Sequence, residues 1–208
     1  MAASQRQRLA ASILEETEHL ARLTDNTLQL ARFGAAQGVS LSLDWESPEE
    51  IAGAVMRRQR SREGSARLRA RVEPGLPLVR CDALLMAQLL ENLIDNALKY
   101  SDPPAPVELL VRRQEGGMLF AVRDRGYGVE PPWRERIFQV FQRGELQPSA
   151  GRTRSAGVGL AVCRAIARAH GGELKLRPRA HGGTSFECLL PEPAAPTMMT
   201  MEAEQGLP

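Results

Sequence analysis

The stretch "ENLIDNALKYS" (residues 91–101) combines an apolar helical pattern with two asparagines four residues apart. Its leucines, with Ile94 and Ala97, recur at the spacing of a buried helix face. Asn92, Asn96 and Lys99 share another face, because residues three and four apart are neighbours on a helix. Asparagine forms helices poorly, so the repeat indicates a functional polar stripe. On this stretch alone, ordinary surface polar residues remain the alternative.

Composition places the chain among soluble globular proteins. It has 208 residues, of which 43% are apolar and 25% charged, and a net charge of +2 that does not decide for or against an anionic partner. Cys81, Cys163 and Cys188 lack metal-ligand or redox spacing, which predicts reduced, buried thiols. The sequence has neither a membrane-length apolar run nor a secretory signal, so we expect a cytoplasmic chain without membrane contact.

The first part of the chain predicts one long helix. Residues 4–33 contain no Gly or Pro, and apolar residues recur at helical steps with two interruptions. This seam consists of Leu9, Ile13, Leu20, Leu23 and Leu30. It calls for a helical partner. We expect a boundary near residues 34–38, which divides the chain into 1–36, 37–192 and an aperiodic, disordered tail at 193–208.

The second part alternates strand and helix patterns. Strands are predicted in "LSLDW", "ARLRARV", "LPLVR", "PVELLVRRQ", "MLFAVRD", "GELKLRPR" and "GTSFECLLP", and helices from residue 48 to about residue 62, in the asparagine stretch and in "GVGLAVCRAIARAH". Paired strands with helices between the pairs indicate an α+β fold, a two-layer α/β sandwich with a mixed sheet and helices on one face. The arginines of "ARLRARV" alternate with apolar residues without interleaved aromatics, which argues against nucleic acid.

The segment "DRGYGV" places Asp124 at a strand end, just before Gly126 and Gly128. A carboxylate there can accept a hydrogen bond from an exocyclic amine, and glycines let the backbone approach a flat ligand. By itself such a turn is common.

Three later segments carry further signals. In "RIFQVFQRGE" two phenylalanines precede Arg143, and a hinge anchor is a better interpretation for them than a ligand contact. In "SAGVGLAVCRAI", Gly157 and Gly159 open a helix whose N-terminus favours phosphate, although a plain glycine-rich helix start is the alternative. "HGGTSF" begins the closing strand.

Together these segments resemble the sensor histidine kinases of two-component systems, whose catalytic and ATP-binding domain of the Bergerat type is shared with the gyrase, Hsp90 and MutL ATPases (the GHKL superfamily). The asparagine helix resembles the N box, "DRGYGV" the first glycine box, "RIFQVFQR" the F box, "GVGL" the second glycine box and "HGGTSF" the closing one. "LEETEHLARLTDNTLQLARF" resembles the second helix of the dimerisation hairpin. With "LDWESPEEIAGAV", it is most similar to the potassium-responsive Kdp-type sensor kinases.

The resemblance implies ATP and Mg²⁺ as cofactors. Asn96 would give its amide oxygen to Mg²⁺, and Asn92 would lie near the phosphates and metal waters. Lys99 and Arg143 would offset phosphate charge. Tyr100 would line the pocket, and Asp124 would accept from the adenine amine. The other implied nucleotide contacts are Gly126, Gly128, Gly157, Val158, Gly159, Leu160 and Thr184.

The implied activity is transfer of the ATP γ-phosphoryl to a histidine, for relay to a response regulator. Asn92 resembles in position a glutamate that activates water in the ATPase relatives, and an amide cannot accept that proton. The adjacent Glu91 is rotated by about 100° around the helix. The alternatives are a GHKL-type ATPase and a degenerate, nucleotide-free interaction module.

Two features depart from the family pattern. Ser155 replaces the first glycine of the second glycine box, which predicts weakened nucleotide binding. None of His19, His170 and His181 has the context of the phosphoacceptor, which the family carries on a first helix expected upstream of this chain. We therefore expect a catalytic part that lacks its acceptor histidine, forms a weak homodimer, and belongs to a relative anchored in the inner membrane.

Overall fold

A computed structural model describes residues 3–34, 40–60, 64–140 and 157–192. The helices are α1 (Ala3–Gly34), α2 (Pro48–Gln59), α3 (Ala83–Tyr100) and α4 (Gly159–Ala169). The strands are β1 (Asp44–Glu46), β2 (Leu68–Val72), β3 (Val79–Cys81), β4 (Val107–Gln114), β5 (Gly117–Arg123), β6 (Glu173–Pro178) and β7 (Thr184–Pro191). Short 3₁₀ turns occupy Ser65–Arg67, Pro131–Trp133 and Arg136–Phe138.

Five strands form a mixed sheet in the order β2-β4-β5-β7-β6. The β2–β4 pair is parallel, and the other pairs are antiparallel. The parallel pair needs a long crossover, which α3 provides. The strands β1 and β3 form a separate antiparallel pair. The mixed sheet predicted from the sequence is confirmed.

The main core lies between this sheet and the helices. Leu89, Leu90 and Leu93 of α3 are completely buried, so the predicted apolar helix face is confirmed. They belong to the same buried cluster as Phe120 of β5. A smaller cluster on the other sheet face consists of Leu110, Leu119 and Ala121 with Leu189, and it includes no residue of the described helices. The two-layer arrangement with helices on one face is therefore confirmed.

Local chemistry sets several element boundaries. The Ser47 side chain caps α2 by accepting from the Glu50 N–H at 3.2 Å, with proline in the first turn as predicted. The strand β3 begins later than predicted, after Pro77, which lacks an N–H for a strand ladder. The strand β2 begins at Leu68, because Gly64 in the left-handed conformation and a 3₁₀ turn precede it.

The cysteine prediction is confirmed: Cys81, Cys163 and Cys188 are buried free thiols. Removal from water raises the pKa of Cys81 and of Cys188 to about 12. Burial also raises the pKa of Cys163. All three are protonated at neutral pH, which suits core residues.

The long N-terminal helix is confirmed as α1, but its apolar seam is divided. Leu30 and Phe33 pack against the main core, and Gln29 Nε2 donates to Gln88 Oε1 of α3 at 2.5 Å. In contrast, Ile13 and Leu20 are 58% and 61% exposed. Leu30 thus contacts its own domain, and the prediction of a helical partner stays with the exposed part of the seam.

A histidine joins the end of α4 to the start of α3. His170 Nε2 accepts from the Asp82 N–H at 3.0 Å, and its Nδ1 lies 2.8 Å from Ile166 O. Asp82 in turn caps α3 through its carboxylate. Both ring nitrogens of His170 are thus occupied by backbone partners. Among the helices that the structure describes, none has the length and apolar character of a membrane span.

Candidate functional site

Two glycines bring three chain segments into direct backbone contact. A Cβ on Gly126 would lie 2.0 Å from Tyr100 O, at the end of α3. A Cβ on Gly183 would lie 2.2 Å from Asp124 O. Any side chain at either position would collide with a main-chain carbonyl. These glycines therefore fix the turn at residues 124–128 against α3 on one side and against the start of β7 on the other.

A fourth segment, the start of α4, lies beside the asparagine stripe. A Cβ on Gly159 would lie 4.0 Å from both Cγ and Oδ1 of Asn92. Gly157 has a φ of +69° and turns the chain into this helix. Among the described residues, no side chain caps the N-terminus of α4 at Val158, and the side chain of Val158 is buried. The N–H groups of the first helical turn, which have no intrahelical partner, therefore lie close to Asn92.

Asp124 is a buried acceptor in this site. The residue is 5% exposed, and its Oδ1 accepts from Gly126 N at 2.8 Å and from Thr184 N at 3.1 Å. Its Oδ2 has no hydrogen-bond partner among the described residues. Burial raises the pKa of Asp124, while the two backbone N–H groups and the nearby Arg179 and Arg125 act in the opposite direction. The carboxylate thus has one oxygen anchored and one available to a donor.

The asparagine stripe also has unused hydrogen-bonding capacity. Asn92 Nδ2 is buried and has no partner within the described ranges. Asn96, one turn further along α3, is half-buried and makes no side-chain hydrogen bond with the described residues. No group of three or more His, Cys, Asp or Glu side chains in the described part of the chain is arranged to hold a metal. An Asn96 oxygen fits Mg²⁺, which commonly takes one or two protein ligands besides substrate phosphates and water.

Lys99 and Tyr100 complete the exposed end of α3. Lys99 Nζ lies 5.7 Å from the centre of the Tyr100 ring. Tyr100 is exposed, and Tyr127 donates a hydrogen bond to Asp102 Oδ2 just beyond α3. The remaining predicted residues Gly128, Leu160 and Thr184 lie on the same segments. Arg143 and Ser155 lie outside the described residues.

The phenylalanine segment packs against β7 and α4. Phe138 is buried and packs edge-on against Phe186, with ring centres 6.2 Å apart. Arg164 of α4 lies 5.1 Å from the Phe138 ring centre and pairs with Glu135 at 3.2 Å. Phe138 is thus packed in the core, and its interpretation as a hinge anchor stays a prediction. The second phenylalanine of the predicted cluster, Phe141, is outside the described ranges.

Arg67 positions the end of α3, and the sequence does not predict this role. Its Nη1 donates to Ser101 O and Oγ at 3.2 Å and to Ala105 O at 2.9 Å, and its Nη2 donates to Leu98 O at 2.9 Å. Arg67 thereby binds the last carbonyls of α3, where a cation also opposes the negative end of the helix dipole. An isolated arginine before a strand gives no sequence signal for this role.

Replacing Arg67 by Lys should lower the free energy of unfolding by about 1–2 kcal/mol, because one ammonium cannot donate to carbonyls on both sides of the fork. Arg69→Lys is the matched control, since the hydrogen bonds of Arg69 within the described residues go to its neighbours Ala66 O and Leu68 O. Urea unfolding of the two variants measures the difference. Equal midpoints would show that Arg67 does not hold the end of α3.

Residues 81–194 match the family described as "Histidine kinase-, DNA gyrase B-, and HSP90-like ATPase". The chain belongs to this family. Its domain is of the catalytic type found in two-component sensor histidine kinases.

Individual relatives agree with the Kdp-type resemblance. The sensor protein KdpD of Escherichia coli strain K12 is 31% identical over 92% of this chain and 21% of its own length. KdpD of Clostridium acetobutylicum is 29% identical over 90% of this chain and 21% of its own. Full-length ShkA, solved in complex with AMPPNP, is 30% identical, with a TM-score of 0.73 over 94% of this chain and 41% of that one. The chain thus spans about a fifth of the KdpD relatives that it matches.

Proposed function

We propose that this chain binds ATP with Mg²⁺ and donates the γ-phosphoryl to a histidine on a separate helix, for relay to a response regulator. The observation that carries the proposal is the buried Asp124 carboxylate, with Oδ1 fixed by two N–H groups and Oδ2 available. It lies where α3, the turn at residues 124–128 and the start of β7 meet. Complex formation by the similar ShkA with AMPPNP supports ATP as the ligand class.

Each polar residue has a proposed role. The Asp124 carboxylate accepts from the adenine amine, and Tyr100 lines the base pocket. Asn96 gives an oxygen to Mg²⁺ that bridges the phosphates. Asn92 Nδ2, buried without a described partner, donates toward phosphate oxygens or metal-bound water. Lys99 offsets phosphate charge, as does Arg143 by the same resemblance.

Glycine-containing segments hold the phosphates and the base through their backbone. The uncapped N-terminus of α4, from Gly157 through Val158, Gly159 and Leu160, offers N–H groups to anionic oxygens. Gly126 and Thr184 donate their N–H groups to the anchored carboxylate, and Gly128 lies beside Gly183. By the same resemblance, Ser155 should weaken nucleotide affinity relative to a glycine at that position, because serine has less backbone freedom than glycine.

Transfer to protein is favoured over transfer to water. Asn92 cannot act as a base, since an amide does not accept a proton at neutral pH. Glu91 pairs with Arg58 of α2 at 3.2 Å and is directed away from Asn92. Transfer occurs by in-line attack of a histidine nitrogen on the γ-phosphorus, with ADP as leaving group, and it depends on positioning and charge neutralisation.

The acceptor histidine is proposed to lie outside this chain. Both ring nitrogens of His170 have backbone partners. His181 has a φ of +63° in the exposed turn that follows the C-terminal end of β6. His19 lies in α1, where Leu20 follows in place of the acidic residue of the family motif. No observation favours the nucleotide-free module or the hydrolase over this assignment.

Phosphate labelling tests the proposed division of labour. Incubation of this chain with γ-labelled ATP and Mg²⁺ should leave it essentially unlabelled. Adding an upstream helix with a phosphoacceptor histidine should permit labelling that is acid-labile and alkali-stable, and Asn96→Ala should abolish it. Strong labelling of the chain alone, lost in His19→Gln, would identify His19 as the acceptor and refute the proposal.

We also expect the exposed half of α1 to mediate weak homodimerisation. Leu9, Ile13 and Leu20 are all more than half exposed and lie on one helix face. Sedimentation should show a concentration-dependent oligomer, and Ile13→Glu with Leu20→Glu should shift it to monomer because charge at an apolar seam opposes association.

The control pair Ala10→Glu and Ala21→Glu adds the same charge to another face, about 100° away for each one-residue step. This pair should leave the oligomer unchanged. A monomer at every concentration, or equal loss of the oligomer in both pairs, would contradict the assigned seam.

A further inference from the structure

Four arginines converge on a cavity outside the proposed nucleotide site. Arg123, Arg125, Arg177 and Arg179 line an open cavity of about 320 Å³ together with the turn between β6 and β7. Arg123 of β5 and Arg177 of β6 flank Ser185 of β7 in one row of the sheet, because both residues pair with it in the strand register. The cluster is therefore set by the sheet and its β6–β7 turn.

Main-chain carbonyls hold two of the guanidinium groups in place. Arg125 Nη1 donates to Ala180 O at 2.7 Å and to Gly182 O at 3.3 Å. Arg179 Nη1 donates to Asp124 O at 2.8 Å. A carbonyl group has no net charge, so these bonds orient the two cations without neutralising them.

Carboxylates neutralise the cluster only in part. Arg123 Nη1 lies 3.6 Å from Glu108 Oε2, and Arg177 Nε lies 3.7 Å from Glu187 Oε2. Both separations exceed hydrogen-bonding distance. Glu187 Oε1 is already bonded by Ser185 Oγ at 2.9 Å. Among the described residues, no carboxylate oxygen therefore forms a hydrogen bond with any of the four arginines.

The remaining donors and charge suit a multivalent anion. Each guanidinium carries five N–H donors, and most of those in the cluster have no acceptor in the part of the chain that the structure describes. Burial lowers the pKa of Arg179, and the charges of Arg125 and Arg123 lower it further, while Glu108 and Asp124 offset this repulsion in part. A bound anion would relieve that repulsion.

We propose that this arginine cavity binds a phosphate group, either as inorganic phosphate or as a phosphate monoester. A phosphate dianion presents several oxygens and so can bridge more than one guanidinium. In a carboxylate, one bidentate guanidinium already pairs with both oxygens. The cavity is distinct from the adenine position, because Arg179 contacts the main-chain carbonyl of Asp124 and the nucleotide role uses its side chain.

Titration of the full chain with inorganic phosphate, without nucleotide, tests the proposal. Backbone amide shifts of Gly182 and Ser185 in NMR spectra report the cavity, and the amide shift of Gly159 reports the nucleotide site. The double variant Arg123→Gln and Arg177→Gln removes two cations that make no hydrogen bond to the backbone, so the turn should keep its fold. We expect phosphate affinity at the cavity to fall by at least about tenfold, while ATP affinity is unchanged.

The double variant Arg71→Gln and Arg113→Gln removes the same charge from β2 and β4, and it should bind phosphate like the unaltered chain.

Titration with O-phosphoserine in place of inorganic phosphate distinguishes the two possible ligands. Tighter binding of O-phosphoserine assigns a phosphate monoester, and equal or weaker binding assigns free phosphate. Three outcomes would overturn the proposal: no saturable shift at Gly182 and Ser185, equal affinity for acetate, or equal weakening by both double variants.

Discussion

Replacing Asp124 by Asn is expected to weaken ATP binding by about 1–3 kcal/mol, or about 5- to 150-fold. In the folded protein Oδ1 already accepts from Gly126 N and Thr184 N, so the proposed hydrogen bond from the adenine amine would depend on Oδ2. An asparagine that keeps its oxygen on these two N–H groups presents an NH₂ donor to the adenine amine. Isothermal titration calorimetry at fixed Mg²⁺ measures the change.

The stability of the ligand-free variant is the control. Burial raises the pKa of Asp124 above its unfolded value, so the folded state holds the proton more tightly in the intervening pH range. The ionised carboxylate therefore costs stability at pH values above the raised pKa, and the cost disappears as the pH falls through it. At neutral pH, ligand-free Asp124→Asn should be at least as thermostable as the unaltered chain. If Asp124→Asn loses both thermal stability and ATP affinity, the weaker ATP binding is caused by misfolding.

Replacing Gly183 by Ala should cost more than about 3 kcal/mol of folding free energy and abolish ATP binding, because two separate penalties add. Gly183 has a φ of +93°, a conformation that other residues rarely adopt. Its new Cβ would also lie 2.2 Å from Asp124 O and 2.8 Å from Arg125 Cα. The strand ladder at the start of β7 would have to separate from the turn that carries Asp124. Urea unfolding measures the cost.

Alanine variants at two other glycines measure the cost of a positive φ and the cost of steric overlap separately. Gly75 has a φ of +70° with nothing within 4 Å of an added Cβ, so Gly75→Ala should cost only about 1 kcal/mol. Gly126 has no positive φ, and its Cβ would lie 2.0 Å from Tyr100 O, so Gly126→Ala isolates the steric term. A Gly183→Ala cost no larger than that of Gly75→Ala would show that the close contact with Asp124 is relieved at little expense.

The sequence predicts much of the fold because its hydrophobic periodicity is clear where burial is complete. Leu89, Leu90 and Leu93 have no exposed surface, and their spacing defines the buried face of α3. The same spacing places Asn92 and Asn96 on a different face of α3, and Asn92 lies beside the start of α4. Periodicity therefore predicts the elements and one side of the candidate site.

Contacts between distant segments are not visible in such patterns. Thr184 N reaches Asp124 Oδ1 across 60 positions, and the Arg67 fork binds carbonyls 31 to 38 positions away. Both depend on strand register and on backbone atoms, which every residue type possesses. The division of the α1 seam, in which Leu30 packs on the main core and Leu20 stays exposed, likewise depends on where α1 meets α3 and α4.

Calorimetric titration with ATP and with GTP tests whether the buried carboxylate of Asp124 recognises the adenine of Mg²⁺-bound ATP, as proposed. We expect saturable ATP binding that Mg²⁺ strengthens. GTP should bind at least about tenfold more weakly, because guanine presents a carbonyl oxygen where adenine presents its amine, and two acceptors would then face each other. Equal affinities for ATP and GTP, or no saturable binding of ATP, would show that Asp124 does not recognise adenine.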